Sequence, residues 1–475
     1  MARIVWKNRA GGDWAVGADW RGGNVPGATD SAFIRKTNGP VFSAVDETVG
    51  SVQLTGSTKE FDVLGGNFVS TGLNNSTKIA VSLGSATFGG GGNSISNNGH
   101  IEATGGAVTF QGTTIRQGAT ATIEADGPTS TVTLVSANVD GGTLATTLGG
   151  VIETGDLNSS LNGRTTLGAL TNTGTVRVND HQGLSLLGSI INSGTIDVNG
   201  STHVTRLFVN SAVTLSGGGQ VTLDSRQSYI QGSAKIDNID NTITGGGGFR
   251  AAVTGPMLLI NEAGGTIDGT TGRMMLKTDA TVTNDGLIES TGTGFLFVRD
   301  STIDSSGGGT VSDGHTMRLD NATIEGGVLT IGSGALLSVA HHGGTVNLGG
   351  GTVSNAGDIR GSKGGLTIIG DVANNHVIDA VSKGSLTITG SVSGSGLARV
   401  SGSGVLEVDG AFGQHFTFLA GSTGALVLGD AAGFTGTVIG LAHDGSNQID
   451  LKSVAFDASD TVTYTANKNT PTSGG

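Results

Sequence analysis

The residues best equipped for chemistry cluster in R-D-S-T-I-D at 299–304 and S-D-G-H-T-M-R-L-D at 312–320. Asp300, Asp304, Asp313, His315, Arg318 and Asp320 bring carboxylates, an imidazole and a guanidinium. Glycosidic-bond cleavage uses groups of this kind, with two or three acids converging on one face to protonate the leaving oxygen and to activate water or attack the sugar. The simpler reading takes Asp313-Gly314 as an ordinary turn and the other charges as a solvated face. No N-T-D, G-H-G or R-I-K motif accompanies the cluster. The simpler reading is therefore preferred, and no catalytic residue is assigned.

The other polar constellations are weaker still. His341 and His342 adjoin a Gly pair. Neighbours on a strand face opposite ways, so the two cannot readily bind one metal. Asp180 with His181, and His443 with Asp444, sit in turn sequence with no third partner. The Gly runs at 89–92 and 245–248 lack the G-K-[ST] ending and the helix of a phosphate loop. The G-G-x-G-x-D calcium repeat and the EF-hand loop are absent, and Asp444 with Asp450 are too few ligands for a calcium site. With nine scattered His and zero Cys, no triad, thiolate chemistry or Cys-ligated zinc is assigned. No cofactor or metal residue is expected.

What would position such residues is a repeat. K-G-G-L-T-I-I-G at 363–370, K-G-S-L-T-I-T-G at 383–390, S-G-V-L-E-V-D-G at 403–410 and T-G-A-L-V-L-G-D at 423–430 place Leu366, Leu386, Leu406 and Leu426 at a strict period of 20. Each begins an alternating apolar–polar strand, which buries one face. A unit this small cannot cover its apolar face alone, so successive coils must stack. A second unit is Asn, one or two small residues, Gly and a strand: 97–103, 172–178, 192–198, 284–290 and 355–359. Asn172 and Asn192 are 20 apart, as are Asn355 and Asn375. Stacked Asn amides would satisfy turn backbone, and the Gly is expected to supply positive φ. Residues 200–260 show no clean register, so inserted turns are expected to leave the coil there.

Composition agrees. Gly makes up 86 of 475 residues, yet 36% are hydrophobic and fall in alternating Val/Ile/Leu/Thr runs rather than diluted through a linker. Only 5 Pro interrupt pairing. A net charge of −13 argues against nucleic acid and anionic membranes as partners. No run approaches a membrane helix, and no membrane insertion is expected. Met1–Trp20 lacks the apolar stretch of a signal peptide.

The ends differ from the middle. Trp6, Trp14 and Trp20 are the only Trp, placed where a solenoid needs its first coil capped. A carbohydrate-stacking Trp platform is the competing reading. The pattern of Trp6, Gly12, Asp13, Trp14, Trp20, Asn24, Val25, Pro26, Gly27, Asp30, Ala32 and Ile34 resembles the opening of large bacterial β-strand-repeat surface proteins and autotransporter passengers. The N-x-G-x-I units resemble the right-handed parallel β-helices of secreted adhesins. After 433 the register breaks, and Phe434, Gly436, Val438, Gly440, Ile449, Asp450, Leu451, Tyr464 and Asn467 are similar to the C-terminal region of α-proteobacterial surface proteins exported by type I secretion.

These readings give an all-β chain: a Trp-rich cap over 1–44, a right-handed parallel β-helix of about 20-residue coils over 45–440, and a C-terminal β segment over 441–475 that is expected to be secretion-related and trimmed from a longer polypeptide. The resemblance implies an extracellular or cell-surface adhesive or scaffolding rod, non-catalytic, with host or matrix glycans or other surface proteins as partners. The alternative is a polysaccharide lyase or glycoside hydrolase acting on an acidic polysaccharide.

Overall fold

A computed structural model describes residues 2–455 except 93 and 165, together with 457 and 461. The chain is an all-β parallel β-solenoid of about 19 turns, with coils of about 22 residues. It divides into two compact units, Met1–Leu259 and Ile260–Gly475, which are taken separately.

In the first unit a coil contributes three short strands, as in Lys78–Val81, Ser85–Gly89 and Ile95–Asn97. Each pairs in parallel with its counterpart one coil on, for example Lys78–Val81 with His100–Ala103. Alternation puts every second side chain inside. Val108, Val132, Ile152, Val176, Ile196, Val221 and Ile243 lie opposite one another in succession, and all are fully buried. Each such side chain contributes about 1.5–3 kcal/mol through burial. The ladder runs on through 200–260, where inserted turns are expected from the sequence: Thr205–Val209, Ser228–Gly232 and Gly248–Ala251 pair in sequence. Coil lengths vary here, which hides the period while the ladder continues. The turn at 252–257 projects, with Val253 fully exposed.

The N-terminal stretch already pairs as coil: Arg3–Val5 lies parallel to Ser31–Phe33, and Gly12–Asp13 to Val41–Phe42. Trp14 and Trp20 are fully buried and Trp6 nearly so, which removes the stacking-platform reading. Trp20 meets Trp6 and Trp14 edge-on at 4.9 and 4.8 Å, and Trp14 also packs on Phe61 and Phe68.

In the second unit Leu366, Leu386, Leu406 and Leu426 stack in the register the period predicts. The expected break after 433 is not seen in the described part. Val438–Ile439 pairs with Phe416–Thr417, and Gln448–Leu451 pairs with Ala425–Leu428. Tyr464 and Asn467 lie outside the described residues.

Buried amides close the turns. Asn172 Nδ2 donates to Asn192 Oδ1 at 2.7 Å, Asn75 to Asn97 at 2.9 Å and Asn261 to Asn284 at 2.9 Å. The Asn355 amide donates not to the side chain of Asn375, which is exposed and bonds Asn355 only through its backbone N–H, but to buried Asn374 Oδ1 at 2.6 Å. Where a coil offers no Asn, the next one reaches across it. Asn192 donates to Asn241 at 2.8 Å, and Asn374 donates to Gln414 Oε1 at 2.7 Å.

The glycine of the Asn-x-Gly unit has a different reason from the one expected. Gly99, Gly174, Gly194, Gly286 and Gly357 are not among the positive-φ residues. A Cβ at Gly194 would instead lie 2.1 Å from Gly174 O, and one at Gly99 1.9 Å from Thr77 O. Close approach of stacked turns, rather than backbone handedness, excludes a side chain there.

Candidate functional site

A concavity in the second unit follows one corner across four coils. Its corner residues, Asp279, Asp300, Asn321 and Gly343, all adopt φ between 47° and 74°. That left-handed region is open mainly to Gly, Asn and Asp, which accounts for the residue types. A small residue follows in each coil, Ala280, Ser301, Ala322 or Gly344, and then a threonine: Thr281, Thr302, Thr323 or Thr345. These threonines lie opposite one another in the parallel ladder, so they form an outward column at the coil step of about 4.8 Å. The resulting groove has a volume of about 420 Å³ and includes His342 on its wall.

Charges are fixed around its rim. Asn321 Nδ2 donates to Asp300 Oδ1 at 3.0 Å, and this bond, with Lys277 and Arg299 nearby, holds the Asp300 carboxyl below its ordinary range. Lys277 Nζ lies 2.5 Å from Asp279 Oδ1 and 3.4 Å from Asp300 Oδ2. Asp320, mostly buried, takes His342 Nδ1 at 2.9 Å and faces Arg299 Nε at 3.5 Å. Asp300 in the groove is thus stabilised as a carboxylate. A general acid requires the opposite shift.

The six residues singled out from sequence disperse. Asp300 and Asp320 meet at the corner through Arg299. Arg318 lies exposed on the adjoining face, in a hollow with Arg273, Phe295, Phe297 and His341. His341 and His342 therefore do face apart. Asp304 accepts from the Ser306 backbone at 3.0 Å, and His315 is exposed beyond the Gly314 turn. Asp313 corrects the expectation of a turn on a solvated face. It closes the strand Thr310–Asp313 with its side chain inside, fully buried. Ser290 Oγ donates to its Oδ1 at 2.9 Å, while Oδ2 has no partner. Burial pushes its pKa up to about 6. Among the acids of this cluster it is the one whose shift suits proton donation, and it is out of reach of any ligand.

Asp279, Asn321 and the threonine column escaped the sequence reading. Their signal is D-A-T at 279–281, D-S-T at 300–302, N-A-T at 321–323 and G-G-T at 343–345. Steps longer than 20 residues kept it out of the strict period.

The first unit has a smaller groove of about 270 Å³, lined in part by Gly112, Thr113, Thr114, Ser136 and Asn138. Gly112 and Ser136 are again left-handed. Asp180 at another corner accepts from the His203 backbone at 2.9 Å and pairs with its ring. The His181 and His203 rings stack edge-on at 5.0 Å, a neighbour the sequence did not show. Among the described residues no three His, Asp or Glu side chains converge as a metal would require. Compared with protein-family models, curated proteins and solved structures, the chain finds no match.

Proposed function

We propose that this chain is a non-catalytic adhesive or scaffolding solenoid of a cell surface or extracellular matrix, which displays polar grooves to surface or matrix ligands. The observation that carries this reading is the corner groove of Asp279–Thr345, where four coils repeat one small–threonine pattern on the outside. Buried apolar columns fix the coils and leave the outward positions free to bind. The second, smaller groove adds valency. The extracellular setting rests on the resemblance of the two termini to bacterial surface proteins. The catalytic alternative is disfavoured at the 299–320 cluster because Asp313, whose pKa is raised, faces inward and Asp300 in the groove is held as a carboxylate.

The test is co-sedimentation of the purified chain with a panel of insoluble neutral and acidic polysaccharides, with assay of newly formed reducing ends and unsaturated products. Retention without product is expected. Turnover of any polymer, or no retention on any surface, overturns the proposal.

A further inference from the structure

We infer that the groove lined by Asp279, Asp300, Asn321 and the column Thr281–Thr302–Thr323–Thr345 binds an extended neutral oligosaccharide lying along the coil axis. This inference rests on the adhesive reading and narrows it to one site and one ligand class.

Four observations on the groove support it. Its lining contains no Lys or Arg. The nearest cations, Lys277 and Arg299, are occupied by Asp279, Asp300 and Asp320 from behind. A uronate or sulfated chain would meet the Asp279 and Asp300 carboxylates, while the one basic group of the lining, His342, is engaged by Asp320, so like-charge repulsion selects against it. A neutral sugar instead presents hydroxyls that donate to carboxylates and exchange bonds with threonine and asparagine.

The threonine hydroxyls recur at the coil step of about 4.8 Å, which is close to the length of one pyranose unit. Each successive sugar of an extended chain would meet the same set of groups. The column even continues beyond the groove, since Thr345 lies opposite Thr367 and Thr367 opposite Thr387.

The fold explains the other repeated residues but not these. Left-handed φ accounts for Asp279, Asp300, Asn321 and Gly343. Tight packing accounts for buried Ser301 and Ala322. An outward strand position between them accepts Val as readily as Thr. Four hydroxyls in a row, unused in side-chain hydrogen bonds among the described residues, are left for a ligand.

The experiment is isothermal titration of the full chain with tetrasaccharides of a β-1,4 glucan, a β-1,4 xylan and a polyuronate, each against wild type, Thr302→Val, Thr323→Val and Thr222→Val. Thr222 lies in the other unit and controls for the substitution itself. A neutral tetrasaccharide is expected to bind, and to bind more tightly than its disaccharide. Thr302→Val and Thr323→Val should each weaken it about five- to tenfold, with Thr222→Val unchanged. Unchanged affinity in both groove variants overturns the site while leaving the adhesive reading intact. Preference for the polyuronate overturns the ligand class. No binding of any neutral tetrasaccharide, in a chain that is retained on polysaccharide surfaces, also overturns the inference and leaves the adhesive reading standing.

Discussion

Asp313→Asn should raise stability at neutral pH and not in acid. The carboxyl is enclosed, its Oδ2 lacks a partner, and burial moves its pKa from 3.8 to about 6. An acid whose folded pKa is raised binds its proton more tightly in the folded chain. Its contribution is therefore complete below pH 3.8, falls as pH climbs towards 6, and stays lost above that. The size follows from the shift: about two pKa units at 1.36 kcal/mol each gives about 3 kcal/mol. Asn has nearly the shape of the protonated acid and never ionises, so it escapes this loss. A repeat array need not unfold in one step, so the suitable readout is native-state hydrogen exchange in Leu287–Ser290, Thr310–Asp313 and Val328–Ile331. These strands stack around Asp313. The variant and wild type should match near pH 4, and the variant should gain about 3 kcal/mol of protection by pH 7.5. Taking the difference cancels the titration of every other acid. A difference that stays flat across this range would show that Asp313 titrates normally, and that its surroundings are wetter than the packing implies.

Three other substitutions probe the coil. Leu386→Asp puts an unpaired charge into the Leu column and should cost several kcal/mol, read as lost protection in the coils around 366 and 406; a variant as stable as wild type would refute the register. Gln414→Asn shortens the amide that reaches Asn374 across a coil, leaving buried groups unpaired at about 1–3 kcal/mol, measured by thermal or urea unfolding. Gly194→Ala meets a carbonyl at 2.1 Å, whereas Gly218→Ala has φ of 70° and open space around it. The first should cost more than the roughly 1–2 kcal/mol of left-handed strain expected of the second, and the reverse order would restore positive φ as the reason for the Asn-x-Gly glycine.

The repeat was legible wherever coil length stayed constant. Leu366 to Leu426 could be aligned by counting, because each coil there adds the same number of residues. The same physics operates over 200–260, but turns of unequal length separate the strands, and a fixed period cannot follow them. The amide ladder shows the same limit. Asn172 and Asn192 were found by spacing, whereas Asn374 was passed over for its neighbour Asn375, since only the fold shows which of two adjacent amides points inward. Skipped-coil bonds such as Asn374 to Gln414 have no sequence signal at all. The pair Asp313-Gly314 reads as a turn because Asp-Gly is a common turn pair, whereas the strand that carries the Asp313 side chain inside ends on the Asp itself.

Charge placement separates the two surfaces that meet at the Asp320 corner. On one side lies the threonine groove, with carboxylates and no cations. On the other lies the hollow of Arg273, Phe295, Phe297, Arg318 and His341, where Arg273 stands 5.7 Å over the Phe297 ring. An acidic polymer would find its counter-charges and an aromatic surface in that hollow. It would find only repulsion in the groove a few side chains away. Arg299 and Asp320 stand between the two, each committed to the other and to a groove residue. The chain's net charge of −13 acts in the same direction, keeping polyanions at a distance and favouring ligands recognised by hydroxyl exchange. The proposed binding of neutral sugars on one face therefore needs no cationic track along the coil. Lys277 and Arg299 are instead used locally, to hold the corner carboxylates charged and in place.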